Sequence, residues 1–410
     1  MPDGRSVDMD PPGRWSALGR LAMAKVLAMT TWFSASAVLP QLQDEWRFST
    51  TAGAWLTIAV QLGFVAGALL SASLNLADVI PPRRLMLLGA TGAAGANALL
   101  LVTPGVNTAI ALRLVTGAFL AGVYPPALKA MATWFRRGRG TALGVMVGAL
   151  TLGSAMPHLV NGLGGVEWQY VIIATSLMTL AGGLMAELSG RDGPFPFPPS
   201  VFDPHQAIRA LGDRGVRLAT LGYFGHMWEL YAMWAWFAVF YTDLLDGQGF
   251  TDPARTAGYA TFAVIGVGAL GCWLGGQLGD RWGRTRSAGL AMALSGSCAL
   301  LNGAASSWGP WMVLGVGLVW GFWVVADSAQ FSTMVTELAD QRYVGTAVTL
   351  QLGIGFTLTV VTIWLVPVVR DASSWGWAFA MLALGPLIGL FAMDRLRRSP
   401  RAAQLAGGIG

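Results

Sequence analysis

Charged residues are scarce in this chain. Only 11% of its 410 residues are charged, whereas 54% are hydrophobic, and the mean hydropathy is +0.55. A soluble domain usually carries about 25% charged residues. The scarcity therefore excludes a water-soluble globule and predicts an integral membrane protein.

Cysteine is also scarce. The two cysteines, Cys272 and Cys298, each lie within an apolar run and have neither metal-ligand spacing nor an evident partner. We interpret both as small buried residues. The sequence also lacks a nucleophile–base pair, a metal-ligand cluster and a nucleotide-binding loop outside the apolar runs. We therefore expect that the protein is not an enzyme and binds neither a cofactor nor a metal.

Long apolar runs are abundant. A hydrocarbon core about 30 Å thick needs roughly 20 apolar residues per helix, and twelve runs of that kind are present. We expect transmembrane helices near residues 18–39, 52–76, 84–103, 107–128, 141–163, 168–188, 217–243, 257–278, 287–305, 310–333, 345–369 and 375–393. The pattern predicts an all-α integral membrane protein.

A proline-rich and then charged segment separates the sixth run from the seventh. We interpret it as a linker that ends in a short amphipathic helix. The first sixteen residues lack the order of a cleaved signal peptide, so the first run is expected to remain as a helix. The expected organisation is a cytoplasmic N-terminal tail (1–17), a six-helix bundle (18–189), a cytoplasmic linker (190–216), a second six-helix bundle (217–394) and a cytoplasmic C-terminal tail (395–410).

Basic residues are distributed unevenly between the predicted loops. If the N-terminus is cytoplasmic, the outer loops contain only Arg47, Arg255 and Arg370, and the other loop arginines lie inside. This asymmetry follows the positive-inside rule and places both termini in the cytoplasm. It also accounts for the net charge of +5 without nucleic-acid binding. The arginine-rich, lysine-poor composition suggests a bacterial protein, which would lie in the cytoplasmic (inner) membrane.

The two halves of the chain resemble each other. Trp32 in the first run matches Trp236 in the seventh, and 140-GTALGVMVGALTLG-153 matches 345-GTAVTLQLGIGFTL-358. The matches follow the same order with nearly constant spacing, which indicates an internal duplication. Two pseudo-symmetric six-helix bundles with a binding site between them are a recurring plan of secondary transporters.

One loop resembles a motif of the major facilitator superfamily. The stretch 276-GQLGDRWGRTR-286 is similar to that family's loop motif, and 74-LNLADVIPPRRL-85 is a partial copy in the first half. The matching residues are Gly276, Asp280, Arg281, Gly283 and Arg284 in the second half and Asp78, Arg83 and Arg84 in the first. The stretch 113-RLVTG-117 resembles the family's fourth-helix arginine motif. The resemblance extends from about Leu18 to Asp394 and implies transport by alternating access.

The resemblance implies that the loop motif closes a cytoplasmic gate. Asp280 would pair with nearby arginines and with the N-terminus of a neighbouring helix, in one conformation only. In the alternative interpretation, the arginines only anchor the loop at the membrane interface.

Glu229 is the most informative buried charge, because a charged side chain at the bilayer centre costs about 2.5–3.5 kcal/mol on insertion scales. His226 lies three residues before it and so shares its helix face. The internal alignment places Lys25 at the position equivalent to Glu229, so the two side chains are predicted to approach each other. Glu229 is a candidate proton carrier with His226 as a relay; alternatively, Lys25 and His226 bind an anionic substrate. A purely structural polar cluster is the third interpretation.

Two other charges lie within predicted helices. For Arg113, the resemblance implies proton coupling, and snorkelling to the membrane interface is the alternative. Asp327 is a candidate for a gate contact or for substrate binding. His158 is interpreted as an interface residue. The candidates for lining a cavity are Trp32, Gln61, Tyr124, Trp236 and Gln351, and helix–helix contacts are the alternative for each of them.

Together these features predict a secondary active transporter of a small solute, coupled to protons, with an organic anion among the candidate substrates. A multidrug or metabolite efflux antiporter is one alternative, and a membrane sensor or scaffold that transports nothing is another. The expected partners are the small-molecule substrate, protons and the lipid bilayer, with no nucleic acid. The protein is expected to be a monomer.

Overall fold

The computed structural model of this chain describes residues 11–135, 138–164, 167–195, 209, 211–304, 308–340 and 344–410. The side chains of residues 77, 78 and 164 are outside that description, so Asp78 of the predicted gate motif has no structural account. The helix predicted at the end of the linker also falls largely outside it. Within the described ranges the regular secondary structure is entirely helical.

Twelve helical segments follow one another in the described part of the chain. The first six are α1 (Arg14–Ala28, continued by Ser34–Ala37), α2 (Thr50–Ser73), α3 (Pro82–Val102), α4 (Val106–Ala132), α5 (Arg139–Gly164) and α6 (Trp168–Ser189). The second six are α7 (Arg214–Asp246), α8 (Pro253–Trp282), α9 (Arg284–Ala304), α10 (Pro310–Leu338), α11 (Val344–Ala372) and α12 (Trp375–Arg397). Each coincides with one predicted run.

By length and composition, nine helices in the described part of the chain could each cross a membrane: α2 to α6, α8 and α10 to α12. The segment α1 is shorter because it is interrupted between Met29 and Phe33. The sequence predicts one continuous helix over residues 18–39, and this expectation is wrong at the interruption.

Several helices begin where the sequence supplies a cap. Ser49 accepts the Ala52 N–H before α2, and Asp213 accepts the N–H groups of Gly215 and Val216 before α7. Asp252 caps α8 in the same way and is followed by proline. Such side chains satisfy backbone donors that have no partner within the helix. The helix starts are therefore encoded locally.

The helices pack mainly within their own halves. In the first half α2 packs on α4, α3 on α6, and α1 on α5 and α6; in the second, α7 packs on α11 and α12, and α9 on α10 and α12. The halves meet along α5 with α8 and along α2 with α11. The α5–α8 contact runs from Gly140 beside Gly276 to Gly162 beside Tyr259. Both ends of this interface are therefore closed in the present conformation.

Glycines allow α8 and α10 to approach closely. A Cβ atom built at Gly271 would overlap the carbonyl oxygen of Phe322, and one at Gly275 would overlap that of Ala326. Small residues at such crossings let backbones touch, which stabilises helix pairs inside a membrane.

We expect Gly275→Val to destabilise the protein by about 1–3 kcal/mol, because the added side chain must separate α8 from α10. Thermal unfolding in detergent measures this effect. Gly315→Ala in α10 is the matched control, since no atom lies within 4 Å of its added Cβ. Equal melting temperatures for the two variants would show that the α8–α10 contact is not tight.

The helices α4 and α10 break at corresponding places. The break in α4 lies between Leu120 and Tyr124, and that in α10 lies between Trp323 and Ser328. The spacing between the breaks matches that of the sequence repeat. We expect continuous helices in both places from the lengths of the apolar runs, and this expectation is wrong at the breaks.

The end of the chain packs on the second half. The segment Pro400–Gly408 begins as a 3₁₀ helix, departs from helical geometry at Leu405, Ala406 and Gly407, and buries Leu405 fully. The backbone N–H of Ala406 donates to Glu337 Oε2 at 3.0 Å, and Arg401 pairs with Asp213. This segment therefore ties the end of α10 to the start of α7.

Candidate functional site

Aromatic side chains fill the middle of the interface between the halves. In this cluster, Trp32 and Phe64 have ring centroids 5.0 Å apart, and Phe64 lies 4.8 Å from Phe356 of α11. Tyr231 of α7 lies 6.0 Å from Trp32. The members of this central aromatic cluster are Trp32, Phe33, Phe64, Tyr231, Trp234 and Phe356. Rings of α2 and of the break in α1 thus touch rings of α7 and α11.

Two of the five predicted cavity residues lie in or beside this region. Trp32 belongs to the cluster, and Tyr124 adjoins it with its ring 6.2 Å from Phe64. Trp236, by contrast, donates its indole N–H to the Ile363 carbonyl at 2.9 Å, within the second half.

The other two predicted cavity residues are buried amides. Gln61 in α2 and Gln351 in α11 are 0% and 1% exposed, and neither amide group has a hydrogen-bond partner among the described residues. The indole N–H groups of Trp32 and Trp234 are likewise buried without a partner there. Buried polar groups are nearly always paired with protein, water or ligand, so these four need an explanation.

Lys25 is completely buried beside the cluster. Its ammonium group donates to the Met146 carbonyl at 2.7 Å and lies 3.9 Å above the centre of the Tyr124 ring. The ring face attracts a cation. Within the described residues no carboxylate lies within 4.0 Å of this ammonium group, so its charge is held by neutral groups alone.

Glu229 lies inside the second half. Its carboxylate accepts hydrogen bonds from Ser295 of α9 and Trp320 of α10, each at 2.8 Å. The predicted approach of Lys25 and Glu229 is therefore not found in this conformation, because each side chain has other partners. The internal alignment makes the positions equivalent but does not make the side chains point toward each other.

His226 contacts the break in α10. Its Nδ1 atom lies 2.8 Å from Asp327 Oδ1, and its Nε2 atom lies 2.8 Å from Ser328 Oγ. Asp327 Oδ1 receives no hydrogen bond of good geometry, so the two atoms are close to each other without forming a well-directed hydrogen bond. His226 and Glu229 share a helix face, yet they contact different residues of α10. His226, Glu229 and Asp327 are each 2% exposed, and we refer to them together as the buried polar region of the second half.

The partners of these groups were not predicted. Trp320 and Asp327 both lie in 320-WGFWVVADSAQF-331, seven residues apart. Residues seven apart share a helix face, so the spacing could have indicated that α10 turns both toward α7. Ser295 has no distinguishing sequence signal.

Arg113 holds the break in α1. Its guanidinium donates to the carbonyl oxygens of Thr31 at 2.8 Å and Leu56 at 3.3 Å and to that of Trp32. It also donates to Ser34 Oγ at 3.1 Å and Asn97 Oδ1 at 3.0 Å. The side chain is 0% exposed and so does not snorkel to the membrane interface. Arg113 therefore replaces the helix bonds that α1 lacks beside Trp32.

The loop motif links the two halves at the end of the α5–α8 interface. Arg284 pairs with Asp280 at 2.8 Å and with Glu337 at 3.1 Å. The Asp280 carboxylate lies against Gly140, in the first turn of α5, where the helix dipole favours a negative charge. Gly276 in turn lies against the Gly140 carbonyl, so a larger residue at either position would separate α5 from α8.

The remaining motif residues make fewer contacts. Gly283 adopts φ 97°, which favours glycine, and Arg281 is exposed. In the partial copy of the first half, Arg84 lies 3.7 Å from Glu187 of α6, and Arg83 has a buried Nε atom without a described partner. Only the second-half motif is therefore placed against the opposite half in the described residues.

Comparison with known proteins finds three similar bacterial proteins. The chain is 30% identical over 203 residues (47% of this chain, 40% of the relative) to the multidrug efflux pump LfrA of Mycolicibacterium smegmatis. It is 29% identical over 185 residues (44% and 36%) to the puromycin resistance protein pur8 of Streptomyces alboniger. It is 26% identical over 180 residues (42% and 31%) to a probable actinorhodin transporter of Streptomyces coelicolor. The matched segments thus span less than half of these relatives.

The fold and the family are found over most of the chain. A bacterial homologue of the human lysosomal transporter Spinster, in an inward-facing conformation, matches with a TM-score of 0.67 and 14% identity, covering 96% of this chain and all of that one. The model of the Major Facilitator Superfamily matches residues 21–359. The protein is therefore a multi-pass membrane protein and a member of the major facilitator superfamily.

Proposed function

We propose that the protein is a proton-coupled secondary transporter that moves a small aromatic solute by alternating access at the central aromatic cluster. The observation that carries this proposal is the position of the cluster. It joins α1 and α2 to α7 and α11, at the interface between the halves. A solute bound there would contact both halves, as alternating access requires.

The chemistry of the cluster favours an aromatic solute. Its six rings supply large apolar surfaces that pair with other rings in offset or edge-on geometry. In the present conformation the rings pack on one another across the interface, with centroid distances of 4.8–6.2 Å. A planar solute would replace these contacts with equivalent ones when the halves separate.

Glu229 is the proposed proton carrier. It is 2% exposed and is held only by the neutral donors Ser295 and Trp320. A buried carboxylate without a cation carries a large desolvation cost, which protonation removes. His226 and Asp327, in the same buried region, would pass the proton between Glu229 and the interface. Proton binding would thus favour one packing of α7 against α9 and α10.

The proposed orientation follows from the loop charges. Both termini would lie in the cytoplasm of a bacterium, with the loop motif at the cytoplasmic face of the inner membrane. Asp280 and Arg284 would then hold the cytoplasmic gate closed while α5 packs on α8. The proposed functional unit is the monomer, since one chain contains both halves of the site.

The second candidate function is export, which differs from the first in specifying the direction of solute movement. The similar proteins are described as a multidrug efflux pump and an antibiotic resistance protein. Their similarity favours outward movement of the solute in exchange for protons.

The test is solute-driven proton movement in proteoliposomes that contain a pH dye. The panel should include aromatic acids, quinones, aromatic amines, sugars and amino acids, with protein-free liposomes as the control. We expect at least one aromatic solute to move protons and the sugars to move none. Solute movement without protons would contradict the coupling, and movement of non-aromatic solutes alone would contradict the site.

Asp280→Asn is expected to slow transport about tenfold, because the gate loses a charged contact with the α5 N-terminus and with Arg284. A tenfold change corresponds to about 1.4 kcal/mol, within the range for a hydrogen bond to a charged group. Initial rates of solute uptake measure the effect. Asp371→Asn is the matched control, because Asp371 is an exposed aspartate that pairs only with its neighbour Arg370 among the described contacts. Equal rates for both variants would leave the loop motif as an anchor without a gating role.

A further inference from the structure

We propose that the solute is an aromatic compound rich in oxygen acceptors, such as an aromatic carboxylate or a quinone, and not an aromatic amine or a lipophilic cation. This inference rests on the proposed function, because it names the substrate class of the same site. It follows from the polar groups around the central aromatic cluster, which offer hydrogen-bond donors and a positive charge.

The first observation is the pair of unpartnered indoles. Trp32 and Trp234 belong to the cluster on opposite sides of the interface, and both are 0% exposed. An indole nitrogen can only donate a hydrogen bond. Neither N–H has an acceptor among the described residues. Burying such a donor without a partner is costly, and an acceptor on the solute would offset that cost.

The second observation concerns the two unpartnered amides. Gln61 lies one helical turn from Phe64 on α2, and Gln351 lies one turn before Gly355 on α11. Gly355 packs against the Tyr223 ring of α7, and the next residue, Phe356, belongs to the central aromatic cluster. Each amide provides two N–H donors and one carbonyl acceptor. With the indoles, the free N–H donors outnumber the free carbonyl oxygens.

The third observation is the charge. Lys25 lies over the Tyr124 ring, and that ring adjoins Phe64 of the cluster. Its ammonium group donates to one carbonyl, which leaves further N–H donors. A buried cation without a carboxylate partner favours an anionic or strongly accepting ligand group.

The carboxylates of Glu229 and Asp327 do not neutralise the positive charge of Lys25. Glu229 is held by Ser295 and Trp320 inside the second half, and Asp327 lies beside His226. Neither is within ion-pair distance of Lys25 in the described part of the chain. An ammonium group on a solute would be attracted by the ring faces of the cluster, but the positive charge of Lys25 and the indole N–H donors would oppose its binding.

Equilibrium dialysis of the purified protein in nanodiscs tests this class with three probes that share a three-ring frame. The probes are anthracene-9-carboxylate, anthraquinone and protonated 9-(aminomethyl)anthracene. We expect the carboxylate to bind at least tenfold more tightly than the ammonium compound, with anthraquinone between them. Comparable or tighter binding of the ammonium compound would overturn the proposal, as would the absence of binding by the other two.

Substitutions test which residues bind each probe. We expect Lys25→Met to weaken carboxylate binding about tenfold and to leave anthraquinone binding within twofold, whereas Lys25→Arg should retain most of the carboxylate affinity. Gln351→Leu should weaken the binding of anthraquinone. Lys129→Met is the matched control, because Lys129 is the chain's other lysine. Unchanged carboxylate affinity in a Lys25→Met protein with wild-type thermal stability would overturn the role of Lys25.

The binding assay separates this inference from the proposed function. Selective carboxylate binding without proton movement in proteoliposomes would support the substrate class and contradict proton coupling. Coupled proton movement driven by aromatic cations, with no preference for acceptors, would support transport and contradict the substrate class.

Discussion

Glu229→Gln is expected to abolish solute-driven proton movement while solute exchange continues within about twofold of the wild-type rate. Glutamine cannot release or bind a proton, so the variant would remain in the form that a protonated Glu229 adopts. Its side chain can still accept the Trp320 N–H, and the Ser295 hydroxyl can turn to accept from the new amide. The packing of α7 against α9 and α10 should therefore survive.

The measurement combines two assays on the same proteoliposomes. A pH dye reports proton movement driven by a solute gradient, and labelled solute reports exchange with equal concentrations on both sides. Glu187→Gln is the matched control, since Glu187 lies at the end of α6 beside Arg84 and far from the second-half polar region. Proton movement that persists in Glu229→Gln would assign coupling to another group, with Asp327 the next candidate.

Arg113→Leu is expected to cause the largest loss of stability, about 3 kcal/mol or more. The substitution removes five hydrogen bonds, including those to the carbonyls of Thr31 and Trp32, and places an apolar side chain among buried polar groups. Each unsatisfied buried group costs about 1–3 kcal/mol. Because these carbonyls lie at the break in α1, the position of Trp32 in the cluster should also be lost.

Thermal unfolding in detergent, followed by tryptophan fluorescence, measures the effect. Arg113→Lys should be intermediate, because a lysine ammonium has three donors and lacks the planar fork that reaches several acceptors. Arg255→Leu is the control, as Arg255 is exposed at the start of α8. A wild-type melting temperature for Arg113→Leu would show that the break in α1 is held by packing alone.

Sequence patterns predicted the helices well and their interruptions poorly. Each predicted apolar run coincides with a helical segment, because hydrophobic length is a local property. The breaks at Met29–Phe33 and before Tyr124 and Ser328 were not predicted. The break before Tyr124 contains Gly122 and precedes Pro125 and Pro126, a local signal that the prediction missed. In α1, by contrast, the Arg113 hydrogen bonds that replace the helix bonds come from a distant helix.

The candidate site was predicted in part. Trp32, Tyr124 and Lys25 were selected as buried or polar residues within helices, and the structure places them together beside the aromatic cluster. Glu229 and His226 were expected to form one pair on a shared face, with Lys25 nearby. Instead, Glu229 contacts α9 and α10, His226 contacts the α10 break, and Lys25 contacts α5. A helix face specifies a direction but not which of several neighbouring helices lies there.

The sequence by itself determined that the chain is a membrane protein of twelve apolar helices with a repeated plan, because composition, run length and loop motifs are read locally. Only the tertiary structure decided which buried polar groups are paired and which are free. Trp32 and Trp234 differ from Trp236 only in what surrounds the indole: the Trp236 N–H donates to the Ile363 carbonyl, whereas the other two have no acceptor among the described residues. Partners for a buried group come from residues distant in the chain, and their positions depend on how all the helices pack.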